Sequence, residues 1–531
     1  MRLPFAMAPL MLAATPAFAQ QADLSQIFEQ GLNRSQVMPL AQELTDGIGG
    51  RLTNSPSMRK AEAWAMDKFK GWGLSNVRRD GFAFGRGWLF TDAGMTMTAP
   101  RLVHMRVIPV AWTPGTKGTL KGEIIVAPMA KIKDFASWKG KLKGKVVLIS
   151  LPGTGDEPDK APFLRLTADE IKKMDTYTQP NFDPDSIEQQ AARRIFERYL
   201  DQFLAAEGAL GWARISTRDG GLVHGTGYNY EVGKTPKLPA FEIATEDYRR
   251  LARLAKTGPA PVVEMSSDAR YDDSDINAYN IIAEIPGTDP NAGYVMAGAH
   301  LDSWVASDGA ADNAAGSAMV MEAARILKTT GVKPKRTIRF VLWVAEEQGL
   351  LGSRAYVEKY LATRPPGPAD EVLLDRLRWV HRFPITTKPG YGDLKAYFNI
   401  DNGSGKLRGI YADNNIGAVP LLKSWMAPFE SLGAGAVVAK TTGSTDHFYM
   451  QSIGLPAFQF IQDPLDYNSR LHHTSVDTFD HLNGEDMRQA STVLAGVLLQ
   501  AANSDRELPR EAIPTGEAVS DPFKYRDPAD D

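Results

Sequence analysis

The chain has 531 residues, of which 43% are hydrophobic and 23% charged, and this composition predicts a globular protein of two or three domains. Its formal net charge is −3, so no basic excess favours nucleic acid or an anionic membrane as a partner. Cysteine is absent, which excludes disulfides, thiol nucleophiles and thiolate metal sites. Any bound metal must therefore be held by carboxylates and by some of the eight histidines.

The first 19 residues have the pattern of a secretory signal peptide. Arg2 supplies a short positive region, residues 6–14 are mostly apolar, and Ala17-Phe18-Ala19 fits a cleavage site before Gln20. A buried N-terminal helix is the alternative interpretation. The apolar run is too short to span a bilayer, and we see no membrane-spanning run later in the sequence. We therefore expect an exported protein, periplasmic or secreted, and the lack of cysteine favours a Gram-negative periplasm.

The region that follows divides into two parts, 20–117 and 118–268. Residues 20–80 look helical, with apolar residues at helical spacing over 58–69. After residue 118, short predicted strands such as 123–126 and 146–150 are separated by Gly and Pro. Residues 153–187 are rich in Pro and Asp and predict a long surface loop, and 185–207 predicts a helix. We interpret 118–268 as a separate, β-rich domain.

From residue 280 onward, strands and helices alternate. The predicted strands are 294–299, 337–344, 394–400 and 457–461, and the predicted helices include 316–330 and 484–502. This alternation predicts an α/β domain with a mixed, mostly parallel sheet, formed by 20–117 together with 269–507. Residues 508–531 are rich in Pro, Glu and Asp and predict a poorly packed tail.

Residues that can bind metal follow three of the predicted strands directly. They are His300 and Asp302 after the first strand, Glu346 and Glu347 after the second, and Asp401 after the third. Because the carboxyl ends of parallel strands meet at one edge of a sheet, we expect these side chains to converge there.

Two loop residues, Asp312 and His473, complete a candidate metal site. The five candidate ligands are His300, Asp312, Glu347, Asp401 and His473. If one carboxylate bridges, they suffice for two divalent ions, and imidazole with carboxylate favours Zn²⁺, with Co²⁺ or Mn²⁺ as substitutes. Two ions about 3.5–4 Å apart can hold a water and polarise a carbonyl together. Glu346, next to Glu347, can then reach this water.

Each of these residues, taken alone, also has an ordinary structural explanation. Asp312 precedes a helix and could cap it, and Glu346-Glu347 could begin a helix. Neither HExxH nor GxSxG is present. Four other histidines have no recognisable carboxylate partners and are expected at the surface or in the core: His104, His224, His381 and His481. It is the ordered set, with three members at strand ends, that favours a metal centre.

The sequence resembles metallopeptidase family twenty-eight, the co-catalytic zinc aminopeptidases and glutamate carboxypeptidases. The stretches that carry the resemblance are Asn280-Ile-Ile-Ala-Glu-Ile-Pro-Gly287, Gly298-Ala-His-Leu-Asp-Ser303, Asp308-Gly-Ala-Ala-Asp-Asn313, Ala345-Glu-Glu-Gln-Gly-Leu-Leu-Gly-Ser353 and His472-His-Thr-Ser-Val-Asp-Thr478. Their order and spacing match throughout the catalytic half, and they imply the zinc-peptidase α/β/α sandwich.

The resemblance also implies a role for each matching residue. His300 and Asp401 would bind one zinc ion, Glu347 and His473 the other, and Asp312 would bridge them. Glu346 would be the general base, acting on a water held between the ions. Asp302 would orient His300. The family often has a cis peptide after the bridging aspartate, which here is the Asp312–Asn313 bond.

Two further features refine the resemblance. Residues 118–268 resemble a protease-associated domain, with Lys143-Gly-Lys-Val-Val-Leu-Ile149, Ala206-Glu-Gly-Ala209 and Leu238-Pro-Ala-Phe-Glu-Ile243 as its marks. His472 stands where many aminopeptidases of the family have a tyrosine that steadies the oxyanion, and a His-His pair is more typical of the carboxypeptidase Q branch. The stretch Gly443-Ser-Thr-Asp-His447 fits a late loop near the substrate, so Asp446 or His447 is a candidate pocket residue.

These observations predict an exported di-zinc exopeptidase, either an aminopeptidase or dipeptidase or, alternatively, a glutamate-carboxypeptidase-type carboxypeptidase. The expected partners are a peptide or dipeptide substrate and, at most, a second copy of the chain. The sequence is also compatible with a glutaminyl-cyclase-like acyl transferase that uses one zinc ion, and with a non-catalytic, receptor-like module.

Overall fold

The computed structural model describes residues 23–153, 161–179, 184–227, 229–367 and 378–516. The expected signal peptide and the end of the tail lie outside these residues. The described chain contains two eight-stranded sheets and two two-stranded ribbons, which pair Gly87–Leu89 with Arg270–Asp272 and Ala362–Thr363 with Thr386–Thr387.

The first sheet carries the strands that precede the candidate ligands. In spatial order its strands are Ser75–Ala83, Asn277–Ile285, Thr337–Trp343, Tyr294–His300, Leu394–Asn399, Ala457–Gln462, Leu407–Tyr411 and Ala436–Val438. The third to sixth of these run parallel to one another, and the first two pair antiparallel with their neighbours. The seventh pairs antiparallel with the sixth and parallel with the eighth. The predicted mixed, mostly parallel sheet is therefore confirmed.

Helices cover both faces of the first sheet. One face packs against Val37–Gln42, Pro56–Gly71, Ala315–Thr330, Val419–Met426 and Gly484–Asn503, and the other against Leu351–Tyr356 and Phe448–Gln451. Along the strand Tyr294–His300, alternate side chains enter the two cores, which is why the strand reads as a continuous apolar run. The predicted α/β/α sandwich is confirmed. Within the described ranges, no helix combines the length and the apolar character that a bilayer crossing requires.

The second sheet collects strands from the first half of the chain. In spatial order they are Val103–Met105, Ala93–Ala99, Val262–Ser267, Leu120–Val126, Lys145–Leu148, Gly211–Ile215, Ala240–Ile243 and Val107–Pro109. The helix Thr245–Thr257 packs on one face and Pro184–Ala206 on the other. Three strands precede residue 118, so the sheet begins earlier than the expected domain boundary. The protease-associated identity of this domain stays a prediction.

Shorter helical segments connect these elements. They are Glu29–Asn33, Glu43–Ile48, Ile132–Asp134, Phe135–Trp138, Ala168–Lys173, Ala310–Ala314, Val357–Leu361, Trp379–His381, Pro389–Tyr391, Ile416–Ala418, Ala427–Leu432, Tyr467–Leu471 and Phe479–His481.

Two predictions about irregular or helical regions are wrong in part. The helical region predicted for 20–80 ends at Gly71, and Ser75–Ala83 is instead a strand that pairs with Asn277–Ile285. The surface loop predicted for 153–187 contains the helix Ala168–Lys173, and its Leu164 forms a β-bridge with Leu465. The strand and the bridge depend on partners distant in the sequence, whereas the helix is capped locally by Thr167 and Glu170.

The tail, expected to be poorly packed from residue 508, is docked at its beginning. Leu508 is buried in the main core, and the Arg510 guanidinium donates hydrogen bonds to the carbonyl oxygens of Tyr391, Gly392 and Leu394 at 2.7–3.0 Å. The start of this polar segment is therefore held in place by the hydrogen bonds of Arg510.

Gly298, in the centre of the first sheet, gives a test of core packing. An added Cβ would lie 2.6 Å from Trp343 Nε1, 2.6 Å from Tyr397 Oη and 3.1 Å from the Val341 carbonyl oxygen. We expect Gly298→Ala to lower the free energy of unfolding by about 1–3 kcal/mol, because a packed core resists added volume. Urea denaturation measures this change. Gly94→Ala, also in a strand but with no neighbouring heavy atom within 4 Å of the new Cβ, is the matched control and should change stability far less.

Candidate metal centre

The sequence-predicted ligands meet at the carboxyl edge of the first sheet. His300 is the last residue of its strand and pairs in register with Trp343, the last residue of the neighbouring strand. Glu346 and Glu347 follow that neighbour, and Asp401 follows Leu394–Asn399 on the other side. The parallel direction of the strands is thus what brings these side chains to one edge.

Asp312 stands between the two candidate histidines. Its Oδ1 lies 3.1 Å from His300 Nε2, which is also 3.2 Å from Asp401 Oδ1. Its Oδ2 lies 3.1 Å from His473 Nε2, which is also 2.9 Å from Glu347 Oε2. The five side chains therefore form two adjacent groups that share one carboxylate, with each of its oxygens facing a different imidazole.

The donor atoms of this cluster fit divalent cations. Asp312 Oδ2 and Glu347 Oε1 are buried and, within the described part of the chain, accept no hydrogen bond. Burial raises the pKa of Glu347 to about 7, and the nearby Asp312 charge acts in the same direction. A negative charge on Glu347 is therefore unfavourable unless a cation lies nearby. Imidazole and carboxylate ligands in this number suit Zn²⁺ and related ions.

Asp302 supports the cluster from behind and is fully buried. Its carboxylate accepts hydrogen bonds from the backbone N–H groups of Glu346 and Glu347 at 3.2 and 3.3 Å and from the Thr53 hydroxyl at 3.2 Å. His300 Nδ1 donates instead to the backbone carbonyl of Asp302 at 2.9 Å, and the carboxylate is 3.8 Å away. Asp302 thus orients His300 through its main chain, while its side chain fixes the Glu346-Glu347 turn.

Asp477 holds the loop that carries Asp312. Its carboxylate accepts hydrogen bonds from the backbone N–H groups of Ala311 at 2.6 Å and Asp312 at 3.0 Å. The Asp312–Asn313 peptide bond is cis, as the family resemblance implied. Asn313 then donates to the Ile400 carbonyl oxygen at 2.9 Å, next to Asp401.

Arg51 is a supporting residue that sequence reasoning missed. The side chain is completely buried, and it donates to the carbonyl oxygens of Gly49, Leu301, Asp308 and Gly309 at 2.6–3.0 Å. Burial lowers its pKa to about 10, so it stays charged at neutral pH. Arg51 therefore fixes both ends of the loop between His300 and Asp312.

A cavity of about 690 Å³ opens beside the cluster. Its walls include the metal-site acids, and also Gln190 from the helix Pro184–Ala206, Val380 and His381 from the segment after residue 378, and Phe448 and Tyr449. An ion pair between Arg378 and Glu188, at 3.0 Å, joins two of these walls. The volume is that of a small-molecule or short-peptide site.

The sequence and the fold are similar to those of known proteins. Residues 280–498 match the model of Peptidase family M28. Carboxypeptidase Q from Mus musculus is 26% identical over 470 residues, which cover 88% of this chain and 86% of that protein. A peptidase M28 precursor from Shewanella amazonensis SB2B, solved by crystallography, is 25% identical, with a TM-score of 0.64 and coverage of 94% of this chain and 99% of that one. BSAP, a zinc aminopeptidase from Bacillus subtilis, shares the fold at 19% identity, with a TM-score of 0.55 and coverage of 88% and 95%.

The part of the chain that carries the candidate ligands is thus similar to peptidase family M28. The predicted resemblance, the predicted fold and the prediction of a metallopeptidase are thereby confirmed at the level of the family.

The three candidate substrate residues differ in their position relative to the cavity. His472 lines it: its ring stacks on that of His473 with centroids 3.8 Å apart, and its Nε2 is 3.7 Å from Asp312 Oδ2. Asp446 and His447 are not among the residues that line it, and a role for either of them in the substrate pocket stays a prediction. Both are fully buried, and His447 Nε2 is 3.0 Å from the Thr442 carbonyl oxygen, so this histidine holds its own loop.

His224, which the sequence left without a role, lies beside the candidate metal centre. It comes from the second sheet's domain, and its ring makes an edge contact with His473 at a centroid distance of 5.1 Å. Burial lowers the pKa of His224 to about 3, so the imidazole is neutral. No sequence signal marks this residue, because the contact joins two domains.

Proposed function

We propose that this protein is an exported di-zinc exopeptidase that hydrolyses the terminal peptide bond of short peptides. The observation that carries the proposal is the position of Asp312, whose two oxygens face two different imidazoles, each with a second carboxylate beside it. The cavity of about 690 Å³ supports a short peptide rather than a folded protein as the substrate. The signal-like first 19 residues support export.

The proposed ligand assignment follows the two groups around Asp312. His300 and Asp401 would hold one zinc ion, Glu347 and His473 the other, and Asp312 would be shared. Zinc bound there would supply Lewis acidity, which lowers the pKa of a water toward about 7 and polarises the scissile carbonyl.

Glu346 is the proposed general base. Its backbone is fixed by Asp302 and by hydrogen bonds from the N–H groups of Gly349 and Leu350 to its carbonyl oxygen at 2.7 and 2.8 Å. Burial raises its pKa well above the usual range, and the nearby Asp401 and Glu347 raise it further. The Glu346 carboxylate takes a proton from the attacking water and returns it to the leaving amine nitrogen, so no covalent enzyme intermediate is needed. His472 is assigned to contact the substrate at the carbonyl side.

Metal content tests this proposal directly. We expect two zinc ions per chain by plasma mass spectrometry, loss of dipeptide hydrolysis after chelation, and recovery when zinc is returned. One ion per chain with glutaminyl cyclisation would favour the acyl transferase. No ion, and no hydrolysis with added Zn²⁺, Co²⁺ or Mn²⁺, would favour the receptor-like module. Aminopeptidase, dipeptidase and carboxypeptidase activities are separated by comparing unblocked, N-acetylated and C-amidated dipeptides.

A further inference from the structure

A loop of the second sheet's domain, residues 223–226, is paired with the turn that carries His473. The Ser475 N–H donates to the Val223 carbonyl oxygen at 3.0 Å, and the Val223 N–H donates to Ser475 Oγ at 3.4 Å. The two residues therefore bond reciprocally across the boundary between the domains. Because Ser475 is two positions after His473, this pairing fixes the main chain close to a candidate ligand.

The backbone of His473 requires support from its surroundings. Its φ is +58°, in the left-handed region that residues other than glycine adopt only at a cost in free energy. Such a conformation persists only where neighbouring contacts hold it. The pairing of Val223 with Ser475 is a contact of this kind, and it comes from outside the domain of the first sheet.

The His473 ring also contacts the second domain. His472 stacks on the ring from within the same turn, and Trp304 makes an edge contact with it at a centroid distance of 6.4 Å. The His224 ring meets it edge-on at a centroid distance of 5.1 Å. The loop 223–226 therefore contacts the turn through its main chain and the candidate ligand through a ring.

A buried carboxylate of the second sheet fixes this loop. Oε1 of Glu242 accepts hydrogen bonds from the backbone N–H groups of His224 and Gly225. Oε2 of Glu242 accepts from Arg214 Nε at 3.0 Å, and the Arg214 guanidinium also donates to the Thr226 carbonyl oxygen at 2.8 Å. Both oxygens of Glu242 are thus needed as acceptors, one for the loop and one for the arginine.

The other candidate subsite is supported from within the domain of the first sheet. His300 ends a central strand, and its carbonyl oxygen accepts a hydrogen bond from the Ser317 hydroxyl at 2.7 Å. Asp401 follows the neighbouring strand. Among the described residues, no hydrogen bond, ion pair or ring contact joins His300 or Asp401 to the second domain. The two subsites therefore differ in their dependence on that domain.

We propose that Glu242 is a positioning residue for His473. By fixing residues 223–226, it sets the zinc affinity of the subsite formed by Glu347 and His473. The subsite around His300 keeps its affinity without it. This inference rests on the proposed di-zinc function and makes the second domain a contributor to the metal centre itself.

The test is a competitive zinc titration of wild type and Glu242→Gln, with a chelator of known affinity. An amide has one acceptor oxygen where the carboxylate has two, so the variant cannot accept from both Arg214 and the loop. We expect one of the two zinc ions to bind about 10- to 100-fold more weakly, the usual loss when a group that orients a metal ligand is removed. The other ion should bind as in wild type.

Asp201→Asn is the matched control. Asp201 is also buried in the second domain, and its two oxygens accept from the backbone N–H groups of Lys237 and Leu238 at 2.8 and 3.1 Å. The substitution creates the same shortage of acceptors at bonds that do not involve the loop 223–226. Both zinc affinities should therefore stay at their wild-type values.

Two further variants identify the affected ion and cover a failure to fold. His473→Ala should retain the ion at His300, and adding Glu242→Gln should leave the affinity for that ion unchanged. If circular dichroism shows that Glu242→Gln is unfolded, His224→Ala tests the same link with the buried ion pair intact. We then expect one ion to bind about 2- to 10-fold more weakly, the size of an aromatic edge contact.

Wild-type affinity for both ions in Glu242→Gln, or an equal loss of both, overturns the positioning role and leaves the di-zinc peptidase standing. The same loss in Asp201→Asn also overturns it, because a general effect on the second domain would then be the cause. Where Glu242→Gln is unfolded, wild-type affinities in His224→Ala overturn it. A wild type that binds fewer than two zinc ions, or that hydrolyses no dipeptide when loaded with zinc, overturns the proposed function and the positioning role with it.

Discussion

Glu346→Gln is expected to reduce kcat by about 10²- to 10⁴-fold, the usual contribution of a general acid–base group, while both metal ions stay bound. The amide keeps the size of the side chain but cannot accept the proton of the attacking water. The neighbouring Glu347 and its contact with His473 at 2.9 Å are untouched, so the ligand set remains complete. Steady-state kinetics on a dipeptide and metal analysis of the same preparation measure the two quantities.

Glu485→Gln is the matched control for this change. Glu485 is exposed in the first turn of the helix Gly484–Asn503, and its replacement should leave kcat at the wild-type value. Near-normal turnover by Glu346→Gln would contradict the assigned role. Loss of metal from the same variant would instead make Glu346 a ligand.

Arg51→Met should lower the free energy of unfolding by about 3–5 kcal/mol, because it leaves several buried carbonyl oxygens without a donor and removes a charged hydrogen-bonding group. Methionine fills much of the same volume, so the lost stability comes from the missing hydrogen bonds and charge rather than from a cavity. The four carbonyl groups concerned belong to the segments 49–51 and 301–309. We also expect weaker zinc binding, since the loop between His300 and Asp312 loses its support. Urea denaturation of the metal-free protein and zinc titration measure the two effects.

Arg51→Lys and Arg193→Gln serve as the comparison variants. A lysine can keep the charge but reaches fewer of the four carbonyls, so we expect an intermediate loss of stability. Arg193 is exposed, and its removal should change stability by about 0.5 kcal/mol or less. An Arg51→Met protein with wild-type urea midpoint and wild-type zinc affinity would show that the loop is fixed by other contacts.

The metal-site residues could be predicted from the sequence because their positions follow from local pattern. His300 ends an apolar strand, and Glu347 and Asp401 follow shortly after the ends of theirs. Parallel strands bring such positions together without further information. The other two candidate ligands, Asp312 and His473, were predicted from the order of the motifs along the sequence. Their metal-binding and catalytic roles stay proposals until metal content and turnover are measured.

The supporting residues could not be predicted because their partners are far away along the chain. Arg51 and its acceptor Leu301 are 250 residues apart, and no local pattern records that pairing. His224 reaches His473 from another domain. His447 shows the same limit of local pattern, since its motif predicts a pocket residue while its ring is buried and lies 3.0 Å from the Thr442 carbonyl oxygen of its own loop.

The point at which the chain leaves the first sheet is also the point at which it returns. Ala83 and Asn277 are register partners on adjacent antiparallel strands, and everything between them, including the whole second sheet, is built outside that ladder. A tight turn could join these two positions without shifting a metal-bearing strand. The intervening domain can therefore lengthen, shorten or change its loops without altering the strands that carry the candidate ligands. Substrate preference can in this way diverge among related enzymes while the candidate catalytic residues are kept.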